Sequence, residues 1–304
     1  MEYIKNKLEE ILGCKTDYIR DVDNVPNNTV FRVSAGNKDY ILKLYRSKDW
    51  PEDGKLIFVN RMLLEHDIRC AKLVSFERNP SDFPYGYLLE ETVPGICADQ
   101  ITFDLESEKE FYIKLAKFTI SFHNIPVQNY GYIGNGKADH CTLLSFFEDE
   151  YDSRAEKLAA QNIYQGDYIE RLKELFFFGL KEYSDLPSVL CHGDLSKKNV
   201  IVNDLGEITL IDWDDAIAFN WMADISRMTF FMKMTNNEPQ YSILRKVFLD
   251  NYDTPYRKDE FDSFEKAFHI WVGLDSLVYF IDIGNEDMKN KIIEYLKVNS
   301  TISI

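Results

Sequence analysis

The sequence predicts an α+β protein of two lobes: a small β-rich N-terminal lobe over residues 1–92 and a larger, mainly helical C-terminal lobe over 93–304. Three observations carry this. Up to about residue 90, runs rich in β-branched and aromatic residues alternate with turn residues. From residue 107 onward, apolar residues recur at helical spacing. Between them, Pro94-Gly95 ends a strand and marks the change. A cleft between two such lobes is the expected ligand site.

The elements follow in order. Residues 2–12 form a short amphipathic helix, and its acidic residues exclude a signal peptide. TVFRVSAGNKDYILKLYR (29–46) reads as a hairpin about Ala35-Gly36-Asn37. Residues 55–66 have helical spacing, and YGYLLEETVPG (85–95) is a further strand. Ser107 to Glu110 reads as a capping box, followed by a core stripe of Phe111, Leu115, Phe118 and Phe122. Residues 167–183 form another helix. Two short strands follow at 189–191 and 200–203, then a turn at 204–207, then the strand ITLID (208–212). From about residue 221 the chain is helical. There is no internal repeat and no apolar run of membrane-spanning length.

The 304 residues carry a net charge of −16. Such acidity disfavours binding to nucleic acid or to an anionic membrane, both of which need a basic face. It suits a cationic small molecule, although it also serves plain solubility. The five cysteines show no metal-ligand spacing and are expected as reduced thiols of a cytoplasmic protein, a monomer or dimer. Cys191 next to His192 raises a thiol nucleophile as an alternative, against the simpler reading of a buried filler.

The chemistry concentrates in CHGDLSKKNVIV (191–202). Asp194 and Asn199 share a short polar loop between two strands. A hairpin of the second strand with ITLID returns Asp212 beside Asn199. The two carboxylates, Asp194 and Asp212, and the Asn199 amide oxygen so placed suit Mg²⁺, which completes its shell with water and phosphate. In the N-terminal hairpin, Lys43 of YILKLY alternates with Leu42 and Leu44; a lysine turned inward there needs an anion, and one turned outward needs only solvent.

Taken together these residues resemble the aminoglycoside phosphotransferase (APH) family, small-molecule kinases of protein-kinase-like fold. HGDLSKKN (192–199) resembles the family's catalytic loop and IDWDDA (211–216) its metal-binding segment. FNWMADISRM (219–228) is similar to a worn form of the segment that follows, and HNIPVQNYGYIG (123–134) to a stretch of several members. The resemblance runs from about residue 20 to 230. It implies that Asp194 orients the acceptor hydroxyl and takes its proton, and that Asn199 and Asp212 hold Mg²⁺ against the phosphates of ATP or GTP. It implies that Lys43 pairs with the α/β-phosphates, that His192 braces the loop, and that Ser196 reaches the moving phosphate. Backbone near Glu90 and Thr92 would hold the adenine edge. Two departures stand out. The nucleotide loop NVPNNTVFRV (24–33) lacks glycine, so Asn27 and Asn28 would supply its turn. The helix after Lys43 offers only Glu52 and Glu65, neither well placed to orient the lysine.

The expected activity is therefore transfer of a γ-phosphate to a small-molecule hydroxyl, with an aminoglycoside favoured by the acidic balance and Asp214, Asp215 and Asp224 as amine contacts. Choline, homoserine, methylthioribose or fructosamine kinases are the alternative on the same scaffold, and a pseudokinase-like nucleotide-binding protein is the alternative from another class.

Overall fold

The computed structural model describes residues 2–22, 28–78, 80, 83–161, 163, 166–254 and 257–300. In chain order the elements are α1 (Glu2–Leu12), β1 (Thr16–Asp21), β2 (Asn28–Ala35), β3 (Lys38–Tyr45), α2 (Lys55–Glu65), β4 (Leu73–Glu77), β5 (Tyr87–Glu91) and β6 (Ile96–Cys97). Then come α3 (Leu105–His123), β7 (Gly131–Tyr132), α4 (Leu143–Ala160), α5 (Gly166–Lys181), β8 (Val189–Cys191), β9 (Val200–Val202), β10 (Ile208–Leu210) and β11 (Ile217–Phe219). The chain ends in α6 (Trp221–Thr235), α7 (Glu238–Asn251), α8 (Phe261–Asp282) and α9 (Glu286–Ser300). The fold is α+β, as the sequence predicts.

The chain divides into two compact units. One comprises residues 1–101, 133–136 and 197–216; the other comprises 102–132, 137–196 and 217–304. The expected lobe of 1–92 lies wholly in the first, which also takes in the hairpin of β9 and β10.

The first unit is built on an antiparallel sheet in the order β1-β2-β3-β5-β4. Gly36 and Asn37, both at positive φ, close the tight turn between β2 and β3. Strand alternation makes the sheet two-faced. On one face Phe31, Val33, Tyr40, Leu42, Tyr87 and Leu89 pack with Leu8 of α1 into an apolar core. Each of the larger side chains contributes roughly 1.5–3 kcal/mol by leaving water. The opposite face carries the residues between them: Asn28, Ile41, Lys43, Tyr45, Leu88 and Glu90. Against that face lie α2, through Leu56, Val59 and Leu63, and Trp213. A second small sheet, β10-β9-β6, completes the unit.

In the second unit, the short sheet β7-β11-β8 sits among α3 to α9. An aromatic cluster of Phe146, Phe147, Phe176, Phe219, Phe268 and Trp271 fills its core. Helix α3 starts earlier than the Ser107 box predicts. Asp104 is its N-cap and accepts from the Ser107 N–H at 2.8 Å, while Ser107 Oγ donates back to Asp104. An Asp is as good a cap as Ser, and the helix gains a turn by using it.

Gly95 joins β5 to β6 at φ 138°, and a Cβ there would lie 2.4 Å from the Val202 carbonyl oxygen of β9. Neither the dihedral nor the space admits another residue. Gly95→Ala is expected to cost about 1–3 kcal/mol of stability, read as a lowered midpoint in thermal unfolding.

Candidate active site

The polar face of the sheet contains a buried cation. Lys43 Nζ donates to Asp212 Oδ1 and to Asp214 Oδ2, both at 2.7 Å. Burial alone would favour the neutral amine, but the two carboxylates outweigh it and hold the ammonium pKa above its ordinary value. The two acids differ in exposure: the Asp212 side chain is 44% exposed and that of Asp214 only 1%. Tyr45, two residues along β3 on the same face, donates to Asp214 Oδ1 at 3.0 Å. Lys55, the first residue of α2, is buried, pairs with Glu52 and donates to the Asp214 carbonyl at 3.1 Å.

The β9–β10 hairpin brings Asp212 and Asn199 to the same end of the two strands. Val200 pairs with Leu210, and the Ile211 N–H donates to the Asn199 carbonyl at 2.9 Å. Asp212 therefore follows the residue opposite Asn199, the register the spacing predicts. Asp212 itself is left-handed, at φ 63° and ψ 64°. That conformation is tolerated by Asp at some cost and turns the carboxylate out of the strand line. The hairpin is anchored by β6, where Cys97 Sγ also donates to the Lys198 carbonyl at 3.0 Å.

In the second unit, the HGD segment is fixed from behind by Asp224 of α6. Its buried carboxylate accepts from the backbone N–H of His192 at 2.8 Å and of Gly193 at 2.9 Å, and lies 3.1 Å from His123 Nε2. His123 Nδ1 is 2.8 Å from the Tyr252 hydroxyl. Burial opposes ionisation of Asp224, but the His123 hydrogen bond and charge, with His192, hold its pKa below the usual carboxylate value. Asp224 is thus a brace for the loop, not an amine contact. His192 is fully buried, and the Asp194 N–H approaches its Nδ1 at 3.3 Å. Asp194 is part-exposed at the turn. The loop 192–199 is shared, its residues to Ser196 lying in the helical unit and those from Lys197 in the sheet unit.

The remaining expected residues fall as follows. Asn27 lies outside the described residues. Asn28 pairs with Tyr45 across the sheet, and its buried Oδ1 has no hydrogen-bond partner among the described residues. Glu90 sits in mid-sheet between Ile41 and Leu73, its side chain on the Lys43 face. The Thr92 N–H is already committed to the Asp39 carbonyl at 2.9 Å. Ser196 Oγ is buried and also has no partner among the described residues. Cys191 is fully buried, its Sγ 3.6 Å from the carbonyls of both Phe219 and Asn220, and burial pushes its thiol far above the ordinary range. It is no nucleophile. Sequence reasoning missed the roles of Asp214, Tyr45 and Lys55. The second acid of IDWDD and the tyrosine at strand spacing from Lys43 were the available signals.

The model of the phosphotransferase enzyme family matches residues 22–256. No curated protein matches the chain. Among solved structures, aminoglycoside phosphotransferase APH(4)-Ia is similar at 16% identity and TM-score 0.71, with 99% of each chain covered. A thermostable mutant of it in a ternary complex with AMP-PNP and hygromycin B reaches 0.70 at 16% identity, covering 98% of this chain and 97% of that one. Choline kinase LicA from Streptococcus pneumoniae reaches 0.67 at 17% identity, with 98% of each covered. At such identities the likeness establishes a shared fold.

Two predictions follow from this geometry. Asp224→Ala takes the acceptor from the His192 and Gly193 N–H groups and the partner from His123 Nε2, and is expected to cost about 3 kcal/mol or more in chemical denaturation. Glu90 is pushed up to about 7 from 4.5 by burial, with Lys43 pulling down and Asp212 and Asp214 pushing up. An acid raised on folding leaves stability intact below its unfolded value and removes it as pH climbs through the folded one. Glu90→Gln should therefore gain on the wild type between pH 4.5 and 8, by up to about 3 kcal/mol, in melts compared across that range.

Proposed function

The chain belongs to the phosphotransferase enzyme family, and we propose that it is a cytoplasmic small-molecule kinase. It moves the γ-phosphate of ATP or GTP to a hydroxyl of an acceptor of the aminoglycoside type. The observation that carries this reading is Lys43, a lysine buried on the sheet beside a half-exposed Asp212. A buried ammonium with one replaceable carboxylate is poised to exchange that partner for phosphate oxygens.

Asn199 and Asp212 would hold Mg²⁺: an amide and a partly exposed carboxylate at one end of a hairpin are the hard oxygen donors it takes. When bound, that ion neutralises charge on the β- and γ-phosphates. The protein's own residues do the rest. Lys43 neutralises the α/β-phosphates. Asp194 orients the acceptor hydroxyl and takes its proton as the oxygen attacks. Asp224 fixes the backbone that carries Asp194, and the buried His192 lies with its Nδ1 against the Asp194 N–H. Ser196, whose buried hydroxyl has no partner among the described residues, would turn to a phosphate oxygen. The transition state of phosphoryl transfer is loose, so positioning and charge neutralisation suffice.

The acidic composition supports a polycationic acceptor. The likeness in fold to choline kinase LicA supports a second reading, a metabolic kinase for a smaller cationic alcohol.

The test is acceptor-stimulated nucleotide consumption by purified protein with Mg²⁺, using ATP and GTP against aminoglycosides, hygromycin B, choline and other small alcohols. Asp194→Ala is expected to lower turnover about 100- to 10,000-fold while nucleotide still binds. Asp212→Ala is expected to lose the Mg²⁺-dependent part of nucleotide binding as well. Undiminished turnover by Asp194→Ala would refute the assignment.

A further inference from the structure

We propose that Asp214 is the residue that positions Lys43 for the nucleotide phosphates, and that helix α2 supports it through Lys55 rather than by supplying a glutamate. The inference rests on the kinase reading above.

Neither glutamate near α2 is engaged with Lys43. Glu52 pairs with Lys55, and Glu65 sits 57% exposed at the far end of the helix beside Arg61. The positions α2 turns toward the sheet are Leu56, Val59 and Leu63, all buried and apolar. The acids that do hold Lys43 come from the segment after β10, and they are not equivalent. Asp212 is the half-exposed one and shares its hairpin end with Asn199. A carboxylate that accepts a metal ion must give up part of its hold on the lysine. Asp214 has no such freedom. Its Oδ2 takes Lys43 at 2.7 Å, its Oδ1 takes Tyr45 at 3.0 Å, and its carbonyl takes Lys55 at 3.1 Å. A side chain 1% exposed and held at both oxygens cannot leave without stranding a buried charge.

Lys55 makes the case from the other side. A cation in the first turn of a helix opposes the helix dipole, and this one is also buried. Its compensation is Glu52 and the Asp214 carbonyl. The start of α2 is therefore tied to Asp214, and through it to the ammonium of Lys43. When phosphates draw Lys43 away from Asp212, Asp214 keeps it on the sheet face and fixes its reach.

A double-mutant cycle tests this with the full chain. The dissociation constant of Mg²⁺-nucleotide is measured by calorimetry for the wild type, Asp214→Asn, Lys43→Met and the double variant. Asp214→Asn is expected to weaken binding at least tenfold in the wild-type background and to change it less than twofold once Lys43 is absent. The double variant should also melt above Asp214→Asn, because Lys43→Met removes a buried cation left with only the half-exposed Asp212. Should Asp214→Asn fail to fold, Tyr45→Phe substitutes for it, with a smaller, few-fold loss that likewise disappears in Lys43→Met. Equal losses in both backgrounds, or a folded Asp214→Asn of wild-type affinity, overturn the inference alone. A wild type that binds no Mg²⁺-nucleotide overturns the kinase reading, and this inference with it.

Discussion

A charge buried on a β-sheet governs the first unit. Lys43 stands on the face opposite the apolar core, and its ammonium cannot be left there unpaired. Everything near it answers that demand. The segment after β10 brings two carboxylates, Tyr45 occupies the next same-face position on the strand, and Lys55 holds the backbone of the inner acid. The arrangement makes the hairpin of β9 and β10 part of the N-terminal sheet's own structure, although it is distant in sequence. Removing the lysine would leave two acids repelling each other, and removing the inner acid would leave the lysine half compensated.

The second unit solves a related problem with one acid instead of two. Asp224 takes two successive backbone N–H groups, which a tight turn such as His192-Gly193 cannot pair within itself. Gly193 is at φ 79°, a conformation that leaves these N–H groups pointing the same way. His123 and Tyr252 then extend the hydrogen-bonded chain to α3 and to the end of α7. The loop that carries Asp194 is thus held by its main chain, and the aspartate side chain itself remains at the part-exposed turn.

What the sequence made legible is what local rules control. The β2–β3 hairpin follows from Gly36-Asn37 and the alternation around it. That Asn199 and Asp212 share one end of the hairpin follows from two short strands joined by a turn, because the register is fixed by the turn's length. Several helical segments follow from apolar periodicity, with the cap of α3 displaced from Ser107 to Asp104, but the 18-residue α4 was not foreseen. The identity of the lysine's partners was not legible. Asp214 lies 171 residues from Lys43, and no propensity or spacing rule reaches that far. Nor could sequence show that the Thr92 N–H is spent on Asp39. No glutamate of α2 serves Lys43, for a physical reason: Leu56, Val59 and Leu63 are the helix positions facing the sheet, and the nearby Glu52 pairs with a second buried lysine.

The left-handed backbone of Asp212 sets selection for folding against selection for chemistry. Glycine would adopt φ 63° without strain and would remove an acid from the neighbourhood of Asp214. At this position the variant best tolerated by the backbone is one that discards the carboxylate proposed to hold the metal. Its loss would also take one partner from the buried Lys43, so the backbone strain at Asp212 is the counterpart of an ion pair that glycine could not replace.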